Sequence, residues 1–245
     1  MISFGRSLRW FNNYEYEIEF SKSNEFDFMQ IWFQKGKLLI DNVDEPHEEY
    51  LNKYNFPLII HAVFEMDDFE TYGKLLLDLV QYFKHNKIII HPIFPPSNSI
   101  ITDRTIYELS KKIEWLYKIF NNLGIKIYIE NNSKLDVVNY SVEDLKVVFK
   151  DNPDVELLLD IAHIDSYEHL ESIIDVKYPK MLHIADKHFS TLHEHLPIGE
   201  GDLDFKIIFK KYLNCFEGDI ILEIPESDDI IIDSFRKIKD ALLCT

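Results

Sequence analysis

A chain of 245 residues, 46% hydrophobic and 14% aromatic, has enough apolar material for a packed domain, which excludes a disordered protein. Its 43 acidic and 26 basic residues give a formal net charge of −17, which repels phosphate backbones and anionic lipid surfaces. A nucleic-acid partner is therefore unexpected, and so is attachment to a membrane.

The hydrophobic pattern alternates between short apolar runs and amphipathic segments. Segments of helical period are clearest over 67–86, 105–124 and 205–215. Residues 5–25 have a weak helical period, and residues 34–56 are predicted to form an irregular loop with a short helix. Eight apolar runs have the length and β-branched composition of buried strands: 2–4, 26–33, 57–64, 87–92, 126–131, 155–163, 181–186 and 219–225.

This alternation predicts the fold class. Strands that alternate with helices form right-handed βαβ units and a parallel sheet, and eight such units favour a closed barrel over an open sheet. The chain also has nearly the length of roughly 250 residues that is typical of this barrel. We therefore predict an α/β protein that is a single (β/α)₈ TIM barrel, with one domain over residues 1–245.

Ionisable residues recur at the ends of the apolar runs, which is where barrels place the groups that do chemistry. From the third run to the eighth, they are His61; His91; Glu130; Asp160 with His163; His183 with Asp186; and Glu223. A carboxylate in such apolar surroundings is costly to bury unless it is paired or binds a metal. The pattern predicts a site for a divalent cation, with Mn²⁺, Zn²⁺, Co²⁺, Fe²⁺ and Mg²⁺ as candidates.

The strongest candidates for metal ligands end the last four runs: Glu130, Asp160, His183 and Glu223. For His91 and His163 three roles stay open, namely ligating a metal, hydrogen-bonding a ligating carboxylate, or contacting substrate. His61 is a weaker candidate for substrate contact, because it could equally bond a backbone group at the end of its strand.

The most distinctive segment is HEHLPIGEGDLDF (193–205), in which two glycines flank Glu200 and which we predict to be an ordered functional loop. Together with four other motifs it resembles the xylose-isomerase-like barrel superfamily, which holds sugar isomerases, ketose epimerases and the endonuclease IV enzymes. The other motifs are IYIEN (127–131), LLLDIAH (157–163), LHIAD (182–186) and ILEIPES (221–227). The resemblance covers nearly the whole chain and is strongest from residue 126 onward.

For the epimerase branch, the resemblance implies one divalent ion held by the four strongest candidates, with Glu130 and Glu223 also exchanging protons with substrate. His163 would contact a substrate oxygen. That branch commonly places an arginine after the histidine of the seventh strand, but here no arginine occurs between His183 and Arg236. Lys187 and His188 are the two candidates to take its place in binding substrate.

The endonuclease IV branch is the alternative that the resemblance leaves open. It binds three zinc ions through more ligands, and His91, His163 and His195 fall where members of that set belong, so they are candidate additional ligands. Against it, His193 stands where an aspartate ligand is expected, and the loops are short and acidic, which suits DNA poorly.

The sequence therefore predicts a divalent-metal-dependent isomerase or epimerase of a small sugar, polyol or related hydroxy-carbonyl compound. The alternative is an endonuclease IV-like multi-zinc phosphodiesterase that acts on abasic DNA; other metal chemistry and simple ligand binding are further options. The expected partner is a small-molecule substrate, and a homo-oligomer stays open. A cytoplasmic location is expected, since no apolar run has the length of a signal peptide core or a membrane span. The four arginines make a phosphorylated substrate less expected, although backbone amides at a helix start could still bind phosphate.

Overall fold

The computed structural model describes residues 1–40, 47–84, 86–94, 102–136 and 138–243. Eight parallel strands close into a barrel, because the first strand pairs with both the second and the last. Each predicted apolar run overlaps one of these strands, so the predicted (β/α)₈ fold is confirmed. The strands are β1 (Ser3–Ser7), β2 (Phe28–Gln34), β4 (Leu58–Phe64), β5 (Lys87–Pro92), β6 (Lys126–Glu130), β7 (Glu156–Asp160), β8 (Met181–Ile184) and β9 (Asp219–Leu222).

A ninth strand, β3 (Lys37–Leu38), was not predicted, because residues 34–56 were expected to be an irregular loop with a short helix. It pairs antiparallel with the end of β2. Lys35 and Gly36 both have positive φ, 48° and 79°, as the two central residues of a tight hairpin turn require. The predicted short helix is present as α2 (His47–Lys53), and residues 41–46 lie outside the described part.

Helices follow the strands around the outside of the barrel. The predicted helix over 205–215 is confirmed only in part, since a single helical turn passes into the π-helical segment Ile208–Tyr212. None of the helices in the described ranges is long and apolar enough to cross a membrane. The remaining helices are α1 (Tyr14–Ser23), α3 (Asp68–Tyr82), α4 (Asp103–Asn121), α5 (Val142–Asp151), α6 (Tyr167–Val176), α7 (Phe205–Ile207) and α8 (Asp228–Leu243).

Successive side chains of a strand point to opposite faces, so every second residue of each strand points into the barrel. A separate cluster of buried side chains contains one residue from each of seven barrel strands: Phe28, Ile59, Ile89, Tyr128, Leu158, Met181 and Ile221. The eighth strand, β1, contributes Gly5, where a Cβ atom would lie 2.2 Å from the Phe28 ring. Only glycine therefore leaves room for that ring. We call these eight residues the apolar layer.

A buried ionic cluster attaches α1 to the outer face of β1. Glu17 is fully buried, and its two carboxylate oxygens lie 2.6 Å from Arg6 Nη2 and 2.6 Å from Arg9 Nη2. Asn12 Nδ2 donates a further hydrogen bond of 2.9 Å to the same carboxylate. Burial on its own raises the pKa of Glu17, but the two guanidinium groups outweigh it and hold that pKa below its ordinary value.

We expect Glu17→Gln to destabilise the fold by about 3–5 kcal/mol at pH 7, because it leaves the buried Arg6 guanidinium without a counter-charge and Arg9 with Asp228 alone. Since the folded-state pKa of Glu17 is lowered, its contribution is present above the pKa of the unfolded chain and is lost as the pH falls through the folded-state value. The difference from the natural protein should therefore shrink on acidification below the ordinary glutamate range. Urea unfolding from pH 7 downward measures both effects.

Glu19→Gln is the matched control, because Glu19 lies on the same helix with a side chain that is 64% exposed. Its effect should stay within about 0.5 kcal/mol. Equal stability losses in the two variants would contradict a special role for the buried cluster.

Candidate metal centre

The residues two positions after the apolar layer point into the barrel as the next layer, and all of them are polar. All except Ser7 are buried. Because apolar side chains lie directly beneath them, their charges and hydrogen bonds have to be satisfied within the layer or by a bound ion. We call this set the polar layer: Ser7, Gln30, His61, His91, Glu130, Asp160, His183 and Glu223.

The four predicted ligands lie together, each with one ligand atom within 4.8 Å of the others, and we call Glu130, Asp160, His183 and Glu223 the quartet. His183 Nδ1 lies 3.0 Å from Glu223 Oε2 and 3.4 Å from Glu130 Oε1. The distance from His183 Nδ1 to Asp160 Oδ2 is 3.6 Å. Two ligand atoms that share a cation at about 2.1 Å are roughly 3.0–3.4 Å apart. The separations therefore suit one divalent ion.

Unpaired atoms provide a second test of whether the quartet fits a cation. Asp160 Oδ2 and His183 Nδ1 are buried and have no hydrogen-bond partner among the described residues. A buried polar atom without a partner costs free energy, which a bound cation would remove at both atoms. Three carboxylates and one imidazole are also a donor set that first-row divalent metals accept.

Gln30 orients three members of the polar layer. Its Oε1 lies 2.7 Å from His183 Nε2, while its Nε2 lies 3.1 Å from His61 Nδ1 and 3.2 Å from Glu223 Oε1. Because Oε1 can only accept, His183 donates from Nε2, and in its neutral form it keeps the Nδ1 lone pair facing the quartet. Because the amide nitrogen can only donate, His61 carries its proton on Nε2, which faces Glu130 Oε2 at 2.9 Å.

Gln30 was not among the residues predicted from the sequence. The available signal was a polar residue in the middle of the apolar run 26–33, two positions after an inward-facing phenylalanine. Such a residue is buried on the inner face only if it has hydrogen-bond partners there.

Asp160 and His163 are positioned by the short 3₁₀ turn that follows β7. The amide of Ala162 donates to Asp160 Oδ1 at 2.7 Å, which leaves the other carboxylate oxygen for the quartet. Asn131 Oδ1 accepts from the Asp160 amide at 2.7 Å, and His163 Nδ1 lies 2.9 Å from the Asn131 carbonyl. That bond makes Nδ1 the donor of His163. Nε2 of His163 has no hydrogen-bond partner among the described residues and lies 3.6 Å from Asp160 Oδ2.

The imidazole of His183 and the three carboxylates of the quartet stabilise one another's charged forms. Burial lowers the pKa of His183, but the Glu223 and Glu130 carboxylates outweigh it and raise that pKa well above its ordinary value. Burial raises the pKa of Glu223, but His183 outweighs it and brings that pKa down to about 2. A proton and a metal ion therefore compete for His183 Nδ1, and metal binding should release that proton.

Further histidines adjoin the quartet on both sides. His91 Nδ1 lies 3.1 Å from Glu130 Oε2, and His195 Nε2 lies 3.4 Å from Asp160 Oδ2. Three additional groups among the described residues have ligand atoms within 4.8 Å of one another: His61 with His183 and Glu223, His61 with His91 and Glu130, and His163 with His193 and His195. Asp136 Oδ2, 3.5 Å from His91 Nε2, was also missed, because it lies in a loop without a recognisable pattern.

The segment after β8 is ordered by one carboxylate. Asp186 accepts hydrogen bonds from the amides of Lys187 and Gly199 at 2.8 Å each, and from the amide of Leu203 at 3.1 Å. A Cβ atom on Gly201 would lie 2.3 Å from the Lys187 carbonyl oxygen, so this position needs glycine. These contacts place His193 and His195 beside the polar layer.

A cavity of about 470 Å³ lies over the polar layer. Glu130 and Glu223 line it, as do His91, His163, His193 and His195, whereas Asp160 and His183 are not among its described lining residues. Lys187, the predicted substitute for an arginine, is not brought to the cavity either. Its amine is buried and donates to the Ile164 carbonyl at 3.0 Å.

Comparisons with known proteins agree with this architecture. The family described as xylose isomerase-like TIM barrel matches residues 18–241. A comparison with curated protein sequences gives no match.

Solved structures share the fold at low sequence identity. A D-tagatose 3-epimerase-like protein has a TM-score of 0.79 at 20% identity, covering 98% of this chain and 97% of its own. A D-allulose 3-epimerase from Methylomonas sp., in complex with D-allulose, has a TM-score of 0.75 at 13% identity, covering 98% and 97%. The IolI protein with a bound zinc atom has a TM-score of 0.73 at 14% identity, covering 98% of each chain. At these identities the likeness concerns the fold.

We expect Gln30→Met to weaken Mn²⁺ binding about 10–100-fold, because removing the partner that orients a metal ligand typically costs that much affinity. Calorimetric titration of chelator-treated protein with Mn²⁺ measures the dissociation constant. Gln34→Met is the matched control, since Gln34 lies on the same strand and lines the cavity but makes none of the Gln30 bonds. Unchanged affinity in the Gln30 variant would contradict the orienting role.

Proposed function

Since the chain belongs to the xylose isomerase-like TIM barrel family, we propose that it is a divalent-metal-dependent isomerase or epimerase of a small sugar, polyol or related hydroxy-carbonyl compound. One observation carries the proposal. All four quartet residues lie around one point, but only Glu130 and Glu223 also line the cavity. These two carboxylates can reach both a metal ion and a substrate, while Asp160 and His183 serve the metal alone.

The positions of the two glutamates suit proton transfer on opposite sides of a substrate carbon. β6 and β9 are separated by two strands around the closed barrel, so their carboxylates approach the cavity from different directions. A divalent ion in the quartet would stabilise negative charge on a carbonyl and a neighbouring hydroxyl oxygen of the substrate. One glutamate then removes the adjacent carbon-bound proton, and the other delivers a proton to the opposite face.

Neighbouring side chains prepare these carboxylates for that role. Nε2 of His61 lies 2.9 Å from Glu130 Oε2, and Gln30 Nε2 donates to Glu223 Oε1 at 3.2 Å, so each glutamate has a nitrogen close to one of its oxygens. His163 lies in the cavity wall, and because its Nδ1 already donates to the Asn131 carbonyl, its Nε2 can accept a hydrogen bond from a substrate hydroxyl. The relatives whose structures carry epimerase names lend support to this chemistry.

We expect Glu130→Gln and Glu223→Gln each to lower the exchange of a substrate carbon-bound proton with solvent by at least about 10²-fold, since each removes a proton-transfer group. Deuterium incorporation from D₂O, followed by NMR, measures the exchange. Metal content of each variant separates lost proton transfer from lost ligation. Glu226→Gln is the control, because Glu226 lies in the same segment as Glu223, between β9 and α8, but is exposed. Exchange at the natural rate in both glutamine variants would refute these roles.

A second candidate is a multi-zinc phosphodiesterase that acts on abasic DNA. The observation in its favour is that His61, His91 and Glu130 form one further ligand group, and His163, His193 and His195 another. Under this proposal the two groups would hold zinc ions in addition to the quartet, and these ions would supply water activation and charge neutralisation for phosphodiester cleavage. The net charge of −17 weighs against it, because a phosphate backbone would be repelled.

Metal stoichiometry separates the two candidates. For the isomerase or epimerase we expect one divalent ion per chain in protein purified without chelator, measured by plasma mass spectrometry, and no incision of abasic DNA. Three zinc ions per chain, together with incision at an abasic site, would replace the first proposal with the second. His193→Asn, which leaves the quartet unchanged, should not alter the metal content if one ion is bound.

A further inference from the structure

The cavity changes character between its floor and its mouth. Its floor is made of buried ionisable groups of the polar layer, such as Glu130 and Glu223, which are 1% and 5% exposed. Towards the mouth the lining becomes apolar and more exposed, with Trp10 and Leu135 at 57% and 53%. We call the apolar part of the lining the outer wall: Leu8, Trp10, Trp32, Leu39, Val63, Ile93, Leu135, Ile224 and Pro225.

Among the described lining residues, no lysine or arginine is free to bind an anion at the outer wall. Arg9 is the one lysine or arginine among the described lining residues, and all three of its guanidinium nitrogens are engaged. Nε and Nη2 donate to Glu17 Oε1, while Nη1 donates to the Glu226 carbonyl and lies 2.8 Å from Asp228 Oδ1. The stretches outside the described ranges contain no lysine or arginine.

Backbone amides that could bind a phosphate are also engaged. The amides of Gly199 and Leu203, in the glycine-containing loop after β8, already bind the Asp186 carboxylate. Helix α8, which follows β9, begins with Asp228 and Asp229, whose charges repel an anion from its amino terminus. A phosphate group at the far end of a substrate would therefore lie against the apolar outer wall without a cationic partner.

Resting on the proposed function, we infer that the substrate is an uncharged hydroxy-carbonyl compound whose end remote from the quartet is apolar, and not a phosphorylated sugar. The hydroxy-carbonyl end faces the carboxylates and histidines of the floor. The remote end packs against Trp10, Leu39, Leu135 and the other residues of the outer wall. A deoxy sugar has this distribution of polar and apolar groups.

The test uses Mn²⁺-loaded full-length protein and ketohexoses that differ in configuration at C3 and C4, each as the parent sugar, the 6-deoxy sugar and the 6-phosphate. Calorimetry gives the dissociation constants. For the tightest-binding configuration, the 6-deoxy sugar should bind at least as tightly as the parent and about tenfold more tightly than the 6-phosphate, since a phosphate loses part of its hydration against the apolar outer wall and gains no cationic partner there. Tighter binding of the 6-phosphate, or no binding of any 6-deoxy sugar, overturns the inference.

Two pairs of variants locate the effect. Trp10→Ala should weaken 6-deoxy sugar binding about tenfold through loss of apolar contact, whereas Phe11→Ala, which alters an exposed neighbour outside the described lining, should not. Leu135→Arg should strengthen 6-phosphate binding about tenfold, whereas Leu192→Arg, an equally exposed position outside that lining, should not. Equal effects within each pair overturn the assignment of the outer wall.

Proton exchange on the same sugars separates this inference from the proposed function. If the predicted order of binding holds but no sugar exchanges a carbon-bound proton, the isomerase or epimerase proposal fails and the inference on cavity chemistry stands. If exchange occurs fastest with a 6-phosphate, the proposed function stands and the inference fails.

Discussion

The candidate metal centre depends on the two-residue period with which the side chains of the barrel strands alternate between the inner and outer faces. Inward-facing positions repeat every second residue, so an apolar layer that contains Phe28, Tyr128 and Ile221 lies directly beneath the polar layer. The apolar layer separates the ionisable groups from water on that side, and this raises the free-energy cost of every unpaired charge. Gly5 shows how closely the packing is set, because any side chain there would overlap the Phe28 ring.

Within the polar layer, a hydrogen bond at one nitrogen or oxygen of a side chain determines whether its other nitrogen or oxygen is available to bind a metal ion. Gln30 holds His183 through Nε2 and thereby directs Nδ1 to the quartet, and the Ala162 amide holds one oxygen of Asp160 and leaves the other free. Such partners set the orientation of ligands before a metal ion binds, which lowers the entropy cost of ordering them at that moment. The quartet is therefore oriented by residues that would not themselves contact a cation bound there.

Two networks outside the polar layer each pair positively charged or hydrogen-bond-donating groups with one buried carboxylate. Arg6 and Arg9 are held by Glu17 on the side of β1, and the loop amides after β8 are held by Asp186. Both networks satisfy their own charges, so neither offers free positive charge to the cavity. The attraction for a substrate would then come from the polar layer, with the divalent ion that we propose it holds, and from the outer wall. This is the basis of the proposed preference for uncharged ligands.

The apolar runs and the ionisable residues at their ends were sufficient to predict the barrel, which is confirmed, and the four residues of the quartet, which the structure brings together. The sequence could not place Gln30, because its role depends on His61, His183 and Glu223, which are distant along the chain. The strand β3 was missed because it is only two residues long, too short to show an alternation of apolar and polar residues, and Lys187 was a candidate by sequence position alone. These points depend on the tertiary structure, since the direction of a side chain and the atoms it meets follow from packing between strands and not from spacing along the chain.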